Sequence, residues 1–171
     1  SQISRSEERI YGKCELDSHV DTIVAGRNCL VMHYTAKTCD VMPYLEEYEA
    51  VKNVPVIQAA TGYTSSSGQS FIMILNEALY MPNLDHTLIN PNQLRHYHTM
   101  VQDNPYDPVG MRIESPGGEL VLCLDSTGTT IYFDSWAPTQ EDLDTLPHVV
   151  LSFPHEWDPM RVEFPKLDYS I

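Results

Sequence analysis

Two carboxylates and an imidazole stand at alternate positions in Leu16-Asp-Ser-His-Val-Asp-Thr22. In an extended strand Asp17, His19 and Asp21 project from one face, and Leu16, Ser18 and Val20 from the other. Three ionisable groups on one face are electrostatically costly. The pattern is therefore either the solvated face of an edge strand or a place where chemistry is done. As acids and bases the carboxylates can activate water. As ligands, their oxygens and the imidazole nitrogen suit zinc, iron, manganese or copper.

Other residue types add less. His33, His86, His96 and His98 are further candidate ligands, each equally accounted for as a strand-face or surface side chain. Cys14, Cys29, Cys39 and Cys123 are irregularly spaced with no Cys-x-x-Cys pair, against a zinc ribbon or a dense disulfide framework. They read as free, mostly buried thiols in a reducing cytoplasmic setting, and no neighbouring motif makes any of them a nucleophile.

The elements that must position the acidic centre read as β-structure. Gly12 to Val24 is rich in small and β-branched residues, and Cys29–Tyr34 with Thr35–Val41 reads as a short-turned strand pair. Val54–Thr61 and Phe71–Leu79 predict a long hairpin, its turn in the polar stretch from Gly62 to Ser70. Met111–Glu114, Glu119–Leu124 and Thr129–Phe133 predict a meander punctuated by Pro-Gly-Gly and Ser-Thr-Gly. A single convincing helix start lies at Thr139, with Asp142 as the capping-box partner and an end before Pro147. Tyr44, Tyr48, Glu46 and Glu47 read as a solvated turn, and Trp136 and Trp157 as packing anchors. The fold class is all-β with one short helix or two. Residues 1–10 form a flexible leader, 11–135 one domain, and 136–171 the helix with a proline-interrupted arm, extended from Ser152 onward.

The 171 residues carry 24 acidic against 10 basic side chains, a net charge of −14, which repels phosphate backbones and anionic lipid. Nucleic acid and membrane are not expected partners. No apolar run approaches the ~20 residues that span a bilayer, and no start resembles a signal peptide.

The acidic centre resembles the hydrophobic-Asp-Thr/Ser-Gly-Ala-x-Thr loop of retroviral-type aspartic proteases, with His19 where that family has glycine. Asn76 to Leu94, reading NEALYMPNLDHTLINPNQL, is similar to the copia-type pattern Leu-Tyr-x-Pro, a polar spacer, then Asn-Leu-Leu-Ser-x-x-Gln-Leu. Trp157-Asp-Pro159 resembles the spacer before integrase in some copia-type elements. The chain thus resembles the protease segment of a copia-type retrotransposon polyprotein over roughly Tyr11 to Phe164.

The resemblance implies a retropepsin-like closed β-fold, one lobe per chain with a C-terminal extension, working as a homodimer on peptide or polyprotein substrates. Asp17 of each subunit would share one proton and activate water, with no cofactor, and Ser18 would orient the loop. Asp21 and Thr22 would support the site. Gly62, Tyr63 and Gly68 would belong to a flap closing over the peptide, and Leu88-Ile89 would pack beneath the active-site loop.

His19 complicates that reading, because a protonated imidazole favours ionised Asp17 and crowds a tight junction. Two alternatives stand beside it. One is a divalent transition metal held by Asp17, His19 and Asp21. The other is a non-catalytic, domesticated dimer that binds peptide in the same groove.

Overall fold

The computed structural model describes residues 8–42 and 50–167. Most of the expected leader, the expected turn at Tyr44, Glu46, Glu47 and Tyr48, and the last four residues of the arm lie outside them.

Among the described residues the chain is mostly strand, with two short helices. The strands are β1 (Ile10–Leu16), β2 (Val24–Ala25), β3 (Leu30–Val41), β4 (Val51–Thr64), β5 (Ser70–Tyr80) and β6 (Thr87–Ile89). After α1 (Pro91–His96) come β7 (Met100–Gln102), β8 (Arg112–Glu114), β9 (Val121–Cys123), β10 (Asp125–Thr127) and β11 (Thr130–Ala137). Helix α2 (Gln140–Thr145) and β12 (His148–Ser152) follow. No helix among these residues is long and apolar enough to cross a membrane.

Nine strands form one sheet, ordered β10-β11-β1-β6-β2-β5-β4-β3, with β12 also on β5. A further pairing of β11 with β4, Trp136 opposite Gly62, brings the sheet round on itself. Strands β7, β8 and β9 make a separate small sheet. The central strands β4 and β5 read as near-continuous apolar runs because both of their faces are covered, and Ile57, Ala59, Ile72, Met73 and Leu75 are fully buried. Burying one such large aliphatic side chain contributes about 1.5–3 kcal/mol. Gly62 is required by packing, since a Cβ there would lie 2.3 Å from the Trp136 ring.

The predicted hairpin of Val54–Thr61 with Phe71–Leu79 is present as β4 and β5, antiparallel and longer at both ends. Thr139 caps α2 and forms the full capping box with Asp142. Three expectations are corrected. Cys29 to Val41 is not a strand pair: β3 runs through it as one strand paired with β4. Its register shifts where Ala36 takes φ 70°, and Thr35 there donates its hydroxyl to Val56 O at 2.7 Å. No glycine, proline, asparagine or aspartate was available near Thr35 to make the turn. Second, Asp17, His19 and Asp21 do not share a strand face, because β1 ends at Leu16 and Asp17 Oδ1 accepts the His19 backbone N–H at 2.9 Å, folding residues 17–23 into turns. Third, the stretch between the helix and the arm holds a strand that was not expected: β12 lies parallel to β5, with Val149 and Leu151 buried. The irregular arm begins at Phe153.

Candidate active-site cleft

Strand β1 delivers Asp17 to the rim of a cleft. Its neighbour β6 runs parallel to it with Leu16 opposite Ile89, and the Asp17 backbone N–H donates to Ile89 O at 2.9 Å. Ile89 is fully buried and Leu88 partly so. The root of the Asp17 loop therefore rests on a fixed apolar strand.

Beyond Asp17 the loop has no ladder of its own, and side chains hold it instead. Asn90 Nδ2 donates to Val20 O at 2.6 Å. Gln93, fully buried, accepts the Ile23 N–H through Oε1 at 2.7 Å and donates through Nε2 to Glu77 O at 3.0 Å. Asn90 also caps α1 by accepting the Asn92 N–H, with Pro91 at the first helical position. From the arm, Trp157 Nε1 donates to Asp21 O at 2.8 Å.

The cleft has a volume of about 1230 Å³. The loop contributes Asp17, His19, Val20, Asp21 and Thr22, the far end of β3 contributes Lys37 to Met42, and the arm contributes Glu156, Trp157, Pro159 and Met160. Val24, Val56 and Leu79 supply apolar surface from the sheet. Among the described lining residues, Asp17, Asp21, Asp40, Glu77 and Glu156 face a single lysine, Lys37. The cleft attracts cations and favours neutral or basic ligands over acidic ones.

Within it, Asp17 has a side chain one-third exposed, and His19 Nδ1 stands 3.5 Å from its Oδ1, close enough to pair when the ring is protonated. Ser18 is exposed at the turn, Asp21 is exposed, and Thr22 is half-buried. Glu77 is a buried carboxylate, and the Lys37 ammonium reaches it at 2.5 Å. A carboxylate so placed needs such a partner. Both ends of this pair sit at backbone irregularities, Ala36 at φ 70° and Glu77 at φ 54°. Strain of this kind persists where the surrounding structure over-determines it.

The residues expected to form a flap lie elsewhere. Gly62 is beneath Trp136. Tyr63 is buried, with its hydroxyl accepting the Cys123 N–H at 3.3 Å. Gly68 takes φ 88° in the β4–β5 turn. None of the three lines the cleft; the hairpin that does is β3–β4, through Lys37 to Met42. The polar, glycine-containing stretch marked a turn but carried no information on which side of the sheet the turn falls.

The alternative metal set does not assemble. Among the described residues no group of three or more His, Cys, Asp or Glu side chains is arranged to hold a metal ion. His33, His86 and His98 are exposed away from the cleft lining, His86 accepts the Lys13 N–H at 3.1 Å, and His96 packs against Tyr97 and Trp157. All four cysteines are free, two of them exposed rather than buried. Burial pushes the Cys29 thiol up to about 11 and raises Cys14 further. Cys39 is exposed on the cleft wall.

Four contributors were not recognised from sequence: Asn90, Gln93, Trp157 and the Lys37–Glu77 pair. Asn90 had a readable signal, an asparagine ahead of a proline, which marks a capped helix start, whereas Gln93 sits among polar residues with nothing local to mark it as buried. The others join residues 40 and 136 positions apart, and no local pattern announces them.

Compared with known protein families, curated proteins and solved structures, the chain matches none.

Proposed function

We propose that this chain is one subunit of a homodimeric aspartic endopeptidase of the copia retrotransposon type, in which Asp17 from each of two copies forms the catalytic pair. The observation that carries the reading is the seating of Asp17. It follows a parallel strand pair, its N–H is bound to Ile89 O, and it opens on a cleft large enough for several residues of extended peptide.

In this reading one chain supplies one carboxylate, and the second copy supplies the other. Two carboxylates held a few ångströms apart cannot both stay ionised, so they share a proton. One activates a water for attack on the scissile carbonyl while the other protonates the leaving amide, and the titration belongs to the pair. Lys37 to Met42, which line the cleft, would flank the bound peptide. Four free thiols fit a reducing compartment such as the cytoplasm.

A second reading, a groove that binds peptide without cutting it, draws on His19, which stands beside Asp17 where the resembled proteases have glycine. One substitution separates the two. Asp17→Asn keeps an oxygen to accept the His19 N–H, so the fold and thermal midpoint hold. Peptide cleavage falls by about 10²–10⁴ if the carboxylate is the acid–base group. Cleavage that survives Asp17→Asn overturns the mechanism, and a cleaving chain that sediments as a strict monomer overturns the shared pair.

A further inference from the structure

After β12 the chain runs from Phe153 without helix or strand, yet its first half is pinned to the cleft by separate contacts. The Tyr97 hydroxyl donates to His155 O. The Trp157 ring lies 5.2 Å, centroid to centroid, from His96 on α1, and its Nε1–H donates to Asp21 O at 2.8 Å. Glu156, Trp157, Pro159 and Met160 line the cleft itself.

The Trp157 bond falls on a loop that has few alternatives. Backbone bonds anchor the two ends of residues 17–23, Asp17 N–H to Ile89 O and Leu79 N–H to Ile23 O, and the inner side between them is held by Asn90 and Gln93 at Val20 and Ile23. The Asp21 carbonyl lies between those two anchor points and receives its hydrogen bond from the arm. An indole N–H is a donor only, on a rigid ring with two rotatable bonds, so it fixes a carbonyl at small entropic cost. The same ring and the Met160 thioether offer an aromatic and a polarizable surface to whatever enters the cleft.

We infer that residues 154–160 are a wall of the functional site, in which Trp157 is the positioning residue for the Asp17 loop. With Met160 it forms a subsite for an apolar side chain of the bound peptide. That the ligand is a peptide rests on the function proposed above. The tether between Trp157 and the loop does not.

The test uses the full chain with Trp157→Phe, which keeps a ring and removes the N–H, and Trp157→Ala, which removes both. Native-state amide exchange of residues 18–23 is expected to quicken about fivefold to tenfold in both variants, as the loss of one hydrogen bond predicts. Exchange in β4 and β5 stays as it was. Unchanged exchange at 18–23 overturns the positioning role. In cleavage assays Trp157→Phe lowers kcat with KM nearly kept, whereas Trp157→Ala also raises KM for peptides with large apolar residues. An unchanged peptide preference in Trp157→Ala overturns the subsite. Should the wild-type chain cut no peptide, the endopeptidase reading fails. Binding of the same peptides, followed by Trp157 fluorescence, then decides the subsite, and exchange still decides the tether.

Discussion

The loop of residues 17–23 and the segment of residues 87–97 lie against each other and are built in opposite ways. In the loop Ser18, His19 and Asp21 are exposed, and backbone-to-backbone bonds hold its two ends, at Asp17 and Ile23. In the second segment Thr87, Ile89, Asn90, Gln93, Leu94 and Tyr97 are buried, and their polar atoms are spent on other parts of the chain. Side chains left open to solvent cost the loop local stability. Its geometry is supplied by buried amides that have one arrangement each.

The comparison breaks most sharply at Gln93. Gln93→Ala leaves the buried Ile23 N–H and the Glu77 carbonyl without partners. Each orphaned group costs about 1–3 kcal/mol, so denaturant unfolding should show a loss of about 3 kcal/mol. Gln93→Glu keeps an acceptor for the Ile23 N–H but buries a carboxyl group with no cation beside it, so near neutral pH it should cost at least as much as Gln93→Ala. A loss of well under 1 kcal/mol for Gln93→Ala would mean that the loop is held some other way.

Much of this contrast was legible in the sequence and some was not. The acidic heptapeptide could be picked out because its signal lies within a few residues, whereas the packing of Leu88-Ile89 beneath it was expected only through the resemblance. The hairpin of β4 with β5 and the capping box at Thr139 were legible for the same reason. The strand placement of Asp17, His19 and Asp21 failed because a period of two is shared by strands and by short polar turns. The side chain of Asp17, bonding the backbone two residues on, decided for the turn. That Gly62, Tyr63 and Gly68 lie off the cleft was not legible, because turn chemistry is local, whereas the side of the sheet on which a turn falls depends on strand order. β12 was lost among the prolines at 147 and 154 that flank it, although His148–Ser152 holds the alternation of a half-buried strand. The arm's part in the cleft depends on an indole meeting a carbonyl 136 residues away.

A region that lines no part of the cleft sharpens the contrast at smaller cost. Arg9, just before β1, clamps Asp142 with Nε at 3.0 Å and Nη2 at 2.8 Å, and lies 3.8 Å over the Trp136 ring. The carboxylate also accepts the Thr139 N–H at 2.9 Å. The Arg9 hydrogen bonds, followed by those from Thr139, hold Asp142 below the usual carboxylate range against the opposing effect of burial. A depressed carboxylate contributes stability above its unfolded value, about 3.9, and loses it as pH falls through the folded one. Arg9→Met should therefore cost about 1 kcal/mol near neutral pH, the upper end for a partly exposed pair. The difference from wild type should shrink below pH 4 in thermal melts. A difference that stays constant from pH 7 to pH 3 would show that Arg9 acts through packing on Trp136 alone.

The smallest stability effect is expected inside the loop, at His19. His19 has a side chain 77% exposed, so His19→Gly removes little burial and should move the unfolding midpoint hardly at all. Its consequence is chemical. A protonated imidazole 3.5 Å from Asp17 Oδ1 favours the ionised carboxylate and so opposes a shared proton. Removing it should leave cleavage intact or raise it, which kcat/KM of the two proteins on one peptide reads directly. Loss of cleavage in His19→Gly, with Asp17 and the fold unaltered, would make the imidazole a participant in proton transfer and replace the pair of aspartates with an aspartate and a histidine.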